Sequence, residues 1–296
     1  MRMYVGITDW DWFRFLRLRG SDEANFWRPT ARTRFRALEP GEVFLFKLHA
    51  PRNFIVGGGV FSRYTSLPLS LAWSVFGPSN GTATFDEFAT KIQGYRSGPV
   101  GAGPPVGCII LEQPFFLEED RWLPWPYNIG QQGKRYESED GLGRVLWDWL
   151  REVGQGGPFD EIEQDRGYWS RQFRRYGQGD FRAAVIDAYG RQCTVTREHT
   201  LPILEAAHIQ PYVLGGPHVV QNGLLLRADV HKLFDLGYVT VDEDYRFRVS
   251  DHLRDDWQNG RDYYARHGTS IFLPPTGADR PSQDFLEWHR AHVFIA

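Results

Sequence analysis

Residues 204–242 read LEAAHIQPYVLGGPHVVQNGLLLRADVHKLFDLGYVTVD, and this stretch decides the fold of the C-terminal third of the chain. The apolar run that ends at His208 predicts one strand, and the apolar run that follows Asn222 predicts a second. A loop with two adjacent glycines separates them, which indicates a hairpin. A short helix comes next, on which His231 and Asp235 lie four positions apart and therefore share a face.

The polar side chains of this hairpin and helix suit metal-assisted phosphodiester hydrolysis. An imidazole at a strand end, here His208, can take a proton from water as a general base. An imidazole and a carboxylate on one helical face, His231 and Asp235, can hold a divalent metal ion. Such an ion stabilises charge on the scissile phosphate and the departing oxygen. The amide of Asn222 can bond the backbone across the loop and orient the base.

The spacing resembles that of the HNH nucleases of the ββα-metal fold. The resemblance rests on AAHI, on an asparagine fourteen positions after the histidine, and on HKLFD beginning nine positions after the asparagine. It covers about residues 180–296, where SDHLRDD, IFLPP and FLEWHRAHVF are similar to the C-terminal extension of bacterial HNH restriction-type endonucleases. The resemblance implies that His208 is the general base, Asn222 the loop brace and His231 a ligand of one divalent ion. Mg²⁺ or Mn²⁺ is the expected ion, with other divalent ions as the alternative.

One position departs from the pattern of this family. Many members carry Asp or His as a metal ligand directly before the base, where this chain has Ala207. Glu205, two residues earlier on the same strand face, is one substitute, and Asp235 acting with water is the other. The other histidines of this region are expected to be a loop residue (His218) and packing or bracing residues (His289 and His292).

The N-terminal part carries a local excess of positive charge in a chain whose net charge is -3. Residues 14–36 hold seven arginines against Asp22 and Glu23, which is 7 − 2 = +5. Such a local reversal is what phosphate binding requires, although a solvated face with ion pairs would have the same composition. The predicted nucleic-acid-binding residues are Arg14, Arg17, Arg19, Arg28 and Arg32.

Aromatic residues alternate with these arginines. Trp10, Trp12 and Trp27 are predicted to form a pocket in which an unpaired or flipped base stacks, with packing in the core as the alternative for each. The runs MYVGIT, EVFLFKL, FIVGGGVFSRY and VGCIILEQPFFL predict short strands. PGEVFLFKL followed by FIVGGGVFSRY resembles the PUA-like superfamily, which includes EVE, ASCH and SRA modules. That resemblance implies a module that reads modified bases in DNA or RNA.

The predicted architecture is therefore α+β with two domains. Residues 1–125 form a PUA-like twisted sheet or small barrel with helices, residues 126–180 a linker with helices, and residues 181–296 the ββα-metal HNH domain. The two cysteines cannot form a disulfide scaffold, and the chain has no signal-peptide stretch and no apolar run of about 18 residues. A cytoplasmic protein without a membrane span is expected.

The expected function is a modification-dependent DNA endonuclease of the restriction type. It would cut double-stranded DNA near 5-methylcytosine or 5-hydroxymethylcytosine, because a base reader supplies the specificity that a backbone-contacting nuclease lacks. A homodimer is plausible for duplex cleavage, since one HNH site cuts one strand. Two alternatives stay open: an HNH nuclease acting on RNA or unmodified DNA, and a nucleic-acid-binding protein whose nuclease half is inactive because of Ala207.

Overall fold

The structure is a computed structural model, which describes residues 1–96, 104–127, 133–153 and 177–296. The chain divides into two compact units, Met1–Phe173 and Arg174–Ala296. The described strands of the first unit are β1 (Arg2–Thr8), β2 (Glu23–Arg28), β3 (Val43–Leu48), β4 (Phe54–Leu67), β5 (Val106–Phe116), β6 (Leu123–Pro124) and β7 (Lys134–Glu137). Its helices are α1 (Trp10–Arg19), α2 (Leu69–Phe76), α3 (Phe85–Gly94) and α4 (Gly141–Val153).

The seven described strands of the first unit form one mixed sheet. Its order is β2-β5-β4-β3-β1-β7, with β6 paired to β4. Only the β1–β3 pair is parallel among these pairings. The triple glycine of β4 lets its neighbours approach closely, since a Cβ on Gly57 would lie 2.2 Å from the Phe115 carbonyl oxygen and one on Gly58 2.6 Å from that of Phe44.

Alternation along β3 divides the core of this unit between the two faces of the sheet. Phe44 and Phe46 pack with Trp12 of α1 on one face. Val43 and Leu45 pack on the other, against the α4 residues Leu146, Trp149 and Leu150. These three residues of α4 are thus part of the core of this unit.

The predicted linker, residues 126–180, contains elements that belong to this sheet. β7 pairs with β1, and Tyr136 of β7 is buried beside α4. Of the rest, residues 128–132 and 154–176 lie outside the described part of the chain. The exact domain limits therefore stay a prediction.

The second unit is built from two hairpins and five helices in its described part. Its strands are β8 (Leu204–His208), β9 (Gly223–Arg227), β10 (Val239–Val241) and β11 (Phe247–Val249). Its helices are α5 (Gln178–Ala188), α6 (Ala228–Asp235), α7 (His252–Trp257), α8 (Arg261–Tyr264) and α9 (Gln283–His292). β8 and β9 pair antiparallel, with His208 opposite Gly223, and α6 follows directly.

The predicted fold class is confirmed. The first unit is a sheet with helices, and the second contains the expected strand–strand–helix arrangement. In the described residues, no helix has both the length and the apolar character needed to cross a membrane.

Candidate active site

The loop between β8 and β9 is held by the side chain of Asn222, which is fully buried. Its Oδ1 accepts a hydrogen bond from the Gln210 backbone N–H at 2.8 Å. Its Nδ2 donates to the carbonyl oxygens of Gln210 at 2.9 Å and Pro217 at 3.0 Å. One amide thereby satisfies three backbone groups at both ends of the loop, which fixes the loop relative to His208.

Gly216 is required by the same loop. A Cβ at this position would lie 1.9 Å from the Gln210 carbonyl oxygen and 2.9 Å from the Asn222 amide nitrogen. The preceding Gly215 has a φ of +85°, a conformation that L side chains rarely adopt. The double glycine therefore serves the turn.

His208 lies half-buried at the end of β8. Its ring stacks on Phe181 of α5, with centroids 4.0 Å apart and planes 15° from parallel. Burial lowers its pKa to about 4, and the charges of His218 and His231 act in the same direction. Above about pH 5 the imidazole is therefore neutral and keeps a lone pair that can accept a proton.

His218, which the sequence predicts only as a loop residue, contacts His208 directly. Its Nδ1 lies 2.9 Å from Nε2 of His208, so the two rings share a hydrogen bond. Burial lowers the pKa of His218 as well. The signal that could have identified it is its place in the loop: a loop that must return to Asn222 brings the residues just before Asn222 back beside the end of β8.

His231, Glu205 and Asp235 lie together, but around the imidazole rather than around a common centre. Nδ1 of His231 is 2.6 Å from Oε2 of Glu205, and Nε2 is 3.5 Å from Oδ2 of Asp235. Burial raises the pKa of Asp235, and the His231 charge opposes that rise. Glu205, predicted as a metal ligand, contacts the ring nitrogen of His231 that faces away from Asp235, and its role as a ligand stays a prediction.

The donors present fit a divalent ion held through two protein ligands. With Nδ1–H donated to Glu205, the lone pair of His231 lies on Nε2, the nitrogen nearest Asp235. A carboxylate on the far nitrogen of a ligating histidine is a common arrangement, because it fixes the tautomer and raises the basicity of the ring. In the part of the chain that the structure describes, no three or more His, Cys, Asp or Glu side chains form a metal-binding group. Ala207 is fully buried and supplies no donor.

The helix α6, which carries His231, packs against α9 through Phe234 and His289. His289 of α9 is buried, and its ring stacks on Phe234 with centroids 3.7 Å apart. Its Nδ1 lies 2.9 Å from the Thr240 hydroxyl, and its Nε2 lies 3.1 Å from the Phe234 carbonyl oxygen. His292, in contrast, is exposed on α9 and stacks on Trp288.

The burial of His289 predicts an acid-sensitive fold. Desolvation lowers its pKa to about 4, partly offset by its hydrogen bond to Phe234. Between about pH 6.5 and pH 4 the unfolded chain therefore binds a proton that the folded chain does not, so the free energy of unfolding falls as the pH falls through this range. The loss from this group is about 3 kcal/mol. When His289→Gln is studied by denaturation, its free energy of unfolding should fall by correspondingly less than that of the parent chain between about pH 7 and pH 4.5.

The exposed His292 provides the matched control for that measurement. His292→Gln should keep the full acid sensitivity of the parent chain. An identical pH dependence for His289→Gln and the parent would mean that His289 is protonated in the folded protein without a penalty.

In the first unit, three of the predicted residues meet at one cavity. Trp10, Arg14 and Arg17 of α1 line a space of about 620 Å³ together with Phe13, Leu18, Phe116, Glu118 and Glu119. Arg17 forms an ion pair with Glu118 at its edge. The guanidinium of Arg52, which the sequence does not single out, stands 4.2 Å from the centre of the Trp10 ring.

The other predicted pocket residues do not lie at this cavity. Trp12 is buried in the core against Phe26 and Phe46, so its faces are not available to a base, and its assignment to a base pocket is wrong. Trp27 is on β2, where its Nε1 donates to the Asn80 carbonyl oxygen at 2.9 Å and its ring packs near Phe88 and Tyr95. The three tryptophans are therefore not brought together.

The predicted nucleic-acid-binding arginines are also divided. Arg14 and Arg17 lie at the cavity, whereas Arg19 is exposed at the end of α1. Arg28 on β2 donates to the backbone oxygen and the hydroxyl of Thr33, both at 3.2 Å. Arg32 is exposed in the segment after β2.

A hairpin that carries an imidazole at one strand end and a buried asparagine in its loop, followed by a helix with an imidazole and a carboxylate, defines a ββα-metal nuclease domain. Residues 193–242 match the family model HNH_2, described as HNH endonuclease. The chain therefore contains an HNH endonuclease domain, and the protein is a nuclease, a phosphodiester hydrolase. Nucleases of this family generally use a divalent metal.

Two kinds of solved structure are similar to the chain. The crystal structure of ASCH from Zymomonas mobilis aligns with 11% identity over 49% of this chain and 94% of that one, with a TM-score of 0.35. A point mutant of the same ASCH protein aligns with 12% identity over 49% of this chain and 96% of that one, with a TM-score of 0.34. The modification-dependent restriction endonuclease TagI aligns with 12% identity over 92% of this chain and 76% of that one, with a TM-score of 0.31. No curated protein matches the sequence.

Proposed function

We propose that the protein is a modification-dependent DNA endonuclease, which cuts double-stranded DNA near 5-methylcytosine or 5-hydroxymethylcytosine. One observation carries the proposal. The chain combines an HNH nuclease domain in its second unit with a first unit whose cavity is lined by a tryptophan and two arginines. The two free, buried cysteines suit a reducing compartment, and we place the enzyme in the cytoplasm.

At the nuclease site, His208 is the general base. Its low pKa keeps it neutral at physiological pH, so that it accepts the proton of the attacking water. His218 holds the ring through the 2.9 Å contact at Nε2, and Phe181 supports the ring from one face. Asn222 keeps the loop, and with it His218, in register with the base.

His231 and Asp235 would hold one divalent ion, for which Mg²⁺ or Mn²⁺ is the proposed identity. When bound, such an ion supplies charge stabilisation for the phosphate and the departing oxygen. Glu205 orients His231 through Nδ1 and thereby directs Nε2 toward the side of Asp235. With only two protein donors, most of the remaining coordination sites would be filled by water and phosphate oxygen, as is usual for Mg²⁺.

In the first unit, the cavity at α1 is the proposed base-reading pocket. It is a space of about 620 Å³ that is partly open to solvent. Trp10 borders the cavity with the part of its ring that Arg52, Phe13 and Trp122 leave uncovered, and a flipped base would contact it there. Arg14 and Arg17 donate hydrogen bonds to the base or its phosphate, and Glu118 or Glu119 can accept one from the exocyclic amine of cytosine.

The test is digestion of one plasmid in three states: unmodified, 5-methylated and 5-hydroxymethylated at cytosine. We expect cleavage of a modified plasmid with Mg²⁺ or Mn²⁺, none with a chelator, and little cleavage of the unmodified plasmid. Equal rates on all three plasmids would reject base reading while leaving the nuclease assignment intact. Preferential degradation of RNA would reject DNA as the substrate.

The role of the pocket is tested by Trp10→Ala. Stacking on one base is worth about tenfold in affinity, so this variant should lower the ratio of modified to unmodified cleavage by about tenfold or more. Trp257→Ala, which removes an exposed tryptophan of the second unit, is the matched control and should leave the ratio unchanged. An unaltered ratio in Trp10→Ala would exclude this cavity as the reading pocket.

A further inference from the structure

The loop that Asn222 braces carries three adjacent apolar side chains in solvent. Tyr212, Val213 and Leu214 are 62%, 87% and 58% exposed, and they form a single 3-10 turn, here called the apolar tip. No Asp, Glu, Lys or Arg occurs anywhere in residues 206–226. Consecutive large apolar residues at such exposure are costly in water, which indicates a surface that is covered in use.

The apolar tip is held by several hydrogen bonds within the loop. The Gly215 N–H donates to the Tyr212 carbonyl oxygen at 3.0 Å, and the Gly216 N–H donates to that of Pro211 at 3.1 Å. Nε2 of Gln210 donates to the Leu214 carbonyl oxygen at 3.0 Å. The Asn222 amide bonds both ends of the same loop and so ties it to the hairpin.

The apolar tip is also connected to the general base through two rings. Tyr212 stacks on His218, with centroids 4.3 Å apart and planes 9° from parallel. His218 in turn contacts His208 at 2.9 Å. With His208 as the proposed base at the scissile phosphate, the apolar tip would lie two ring contacts from the cut.

We propose that the apolar tip is a wedge that inserts at a base step of duplex DNA beside the scissile phosphodiester. This inference rests on the proposed function. An uncharged tip gains no ion pair from phosphates, whereas the faces of unstacked bases offer an apolar surface that removes Val213 and Leu214 from water. Proteins that insert apolar side chains between base steps unstack and bend the duplex in this way.

The wedge is tested with Val213→Ser and Leu214→Ser in the full-length chain. The first readout is 2-aminopurine fluorescence, with the probe placed at successive steps around the mapped cut of a modified duplex. The parent chain should raise the fluorescence at one step, and each variant should abolish most of that rise. Cleavage of the continuous duplex by each variant should fall about tenfold or more.

A duplex with a mismatch at the same step provides the second readout. Its bases are already unstacked, so both variants should cut it at close to the parental rate. A variant that is merely misfolded or poorly positioned would not be rescued. Ile203→Ser is the matched control, because Ile203 is 41% exposed at the opposite end of β8, and it should behave as the parent on both duplexes.

Three results would overturn the wedge: no fluorescence rise with the parent chain, no rescue by the mismatch, or conversion of a dimer to a monomer by Val213→Ser in sedimentation. The last would assign the apolar tip to contact with a second copy of the chain. A failure of the proposed function is recognised separately, because modified and unmodified duplexes would then be cut at equal rates, whereas the fluorescence rise at the cut and the rescue by the mismatch would still report insertion.

Discussion

His208→Ala is expected to lower DNA cleavage by a factor of about 10² to 10⁴ while the protein stays folded. The loss follows from the removal of the imidazole that stands at the end of β8 with a lone pair available above about pH 5. Folding should persist because the half-buried ring is replaced at a strand end, next to a loop that Asn222 holds independently. Single-turnover digestion of a modified plasmid measures the rate, and circular dichroism checks the fold.

The exposed His292 again supplies the control for this substitution. His292→Ala should cut at the parental rate, which separates the loss of one particular imidazole from a general effect of removing histidine. Parental cleavage by His208→Ala would contradict the assignment of the base and would direct attention to His218, its hydrogen-bond partner.

Asn222→Ala is expected to destabilise the second unit by about 3 kcal/mol, the sum of three hydrogen bonds at about 1 kcal/mol each. The backbone groups left behind include the N–H and the carbonyl of Gln210 at the start of the loop. Cleavage should fall together with stability, because the loop carries His218 to the base. Chemical denaturation of the full chain, followed through the transition of this unit, gives the free energy of unfolding.

Two further variants sharpen the Asn222 experiment. Gln210→Ala removes one side-chain hydrogen bond in the same loop, to Leu214, and should cost about 1 kcal/mol or less. Asn222→Asp keeps the acceptor for Gln210 N–H but turns a carboxylate oxygen toward two carbonyl oxygens, so it should be destabilised more as the pH rises. An Asn222→Ala cost below that of Gln210→Ala would mean that the loop is held by other contacts.

The sequence predicts the hairpin and helix of the nuclease site because their spacing leaves little choice. Two consecutive apolar runs separated by a loop with two glycines predict a paired hairpin, and the helix that follows presents His231 and Asp235 on one face. The contact between His208 and His218 is not predictable in this way, because it depends on how the loop folds back, which the amide of Asn222 decides. The contact of the Glu205 carboxylate with Nδ1 of His231 is likewise not predictable, because it depends on which ring nitrogen of His231 faces β8.

The sequence predicts only part of the pocket of the first unit, because the geometry of α1 separates two of the predicted tryptophans. Trp10 and Trp12 are two positions apart on α1 and therefore point in nearly opposite directions. One of them had to face the sheet, and the aromatic residues Phe26 and Phe46 determine that it is Trp12. Trp27 lies on a strand, where its neighbours come from α3 and the segment after it, which residue spacing along the chain does not reveal.

The stacking of Phe181 on His208 has a practical consequence for protein engineering. Phe181, which stacks on the proposed catalytic imidazole, belongs to α5. This helix begins at Gln178, before the segment 193–242 that matches the family model. A Cβ on Gly223 would lie 2.5 Å from Val185 of the same helix, so α5 is fitted tightly to the hairpin. A nuclease fragment for fusion to another targeting domain must therefore begin before α5. A fragment limited to residues 193–242 would lack the Phe181 ring that stacks on His208.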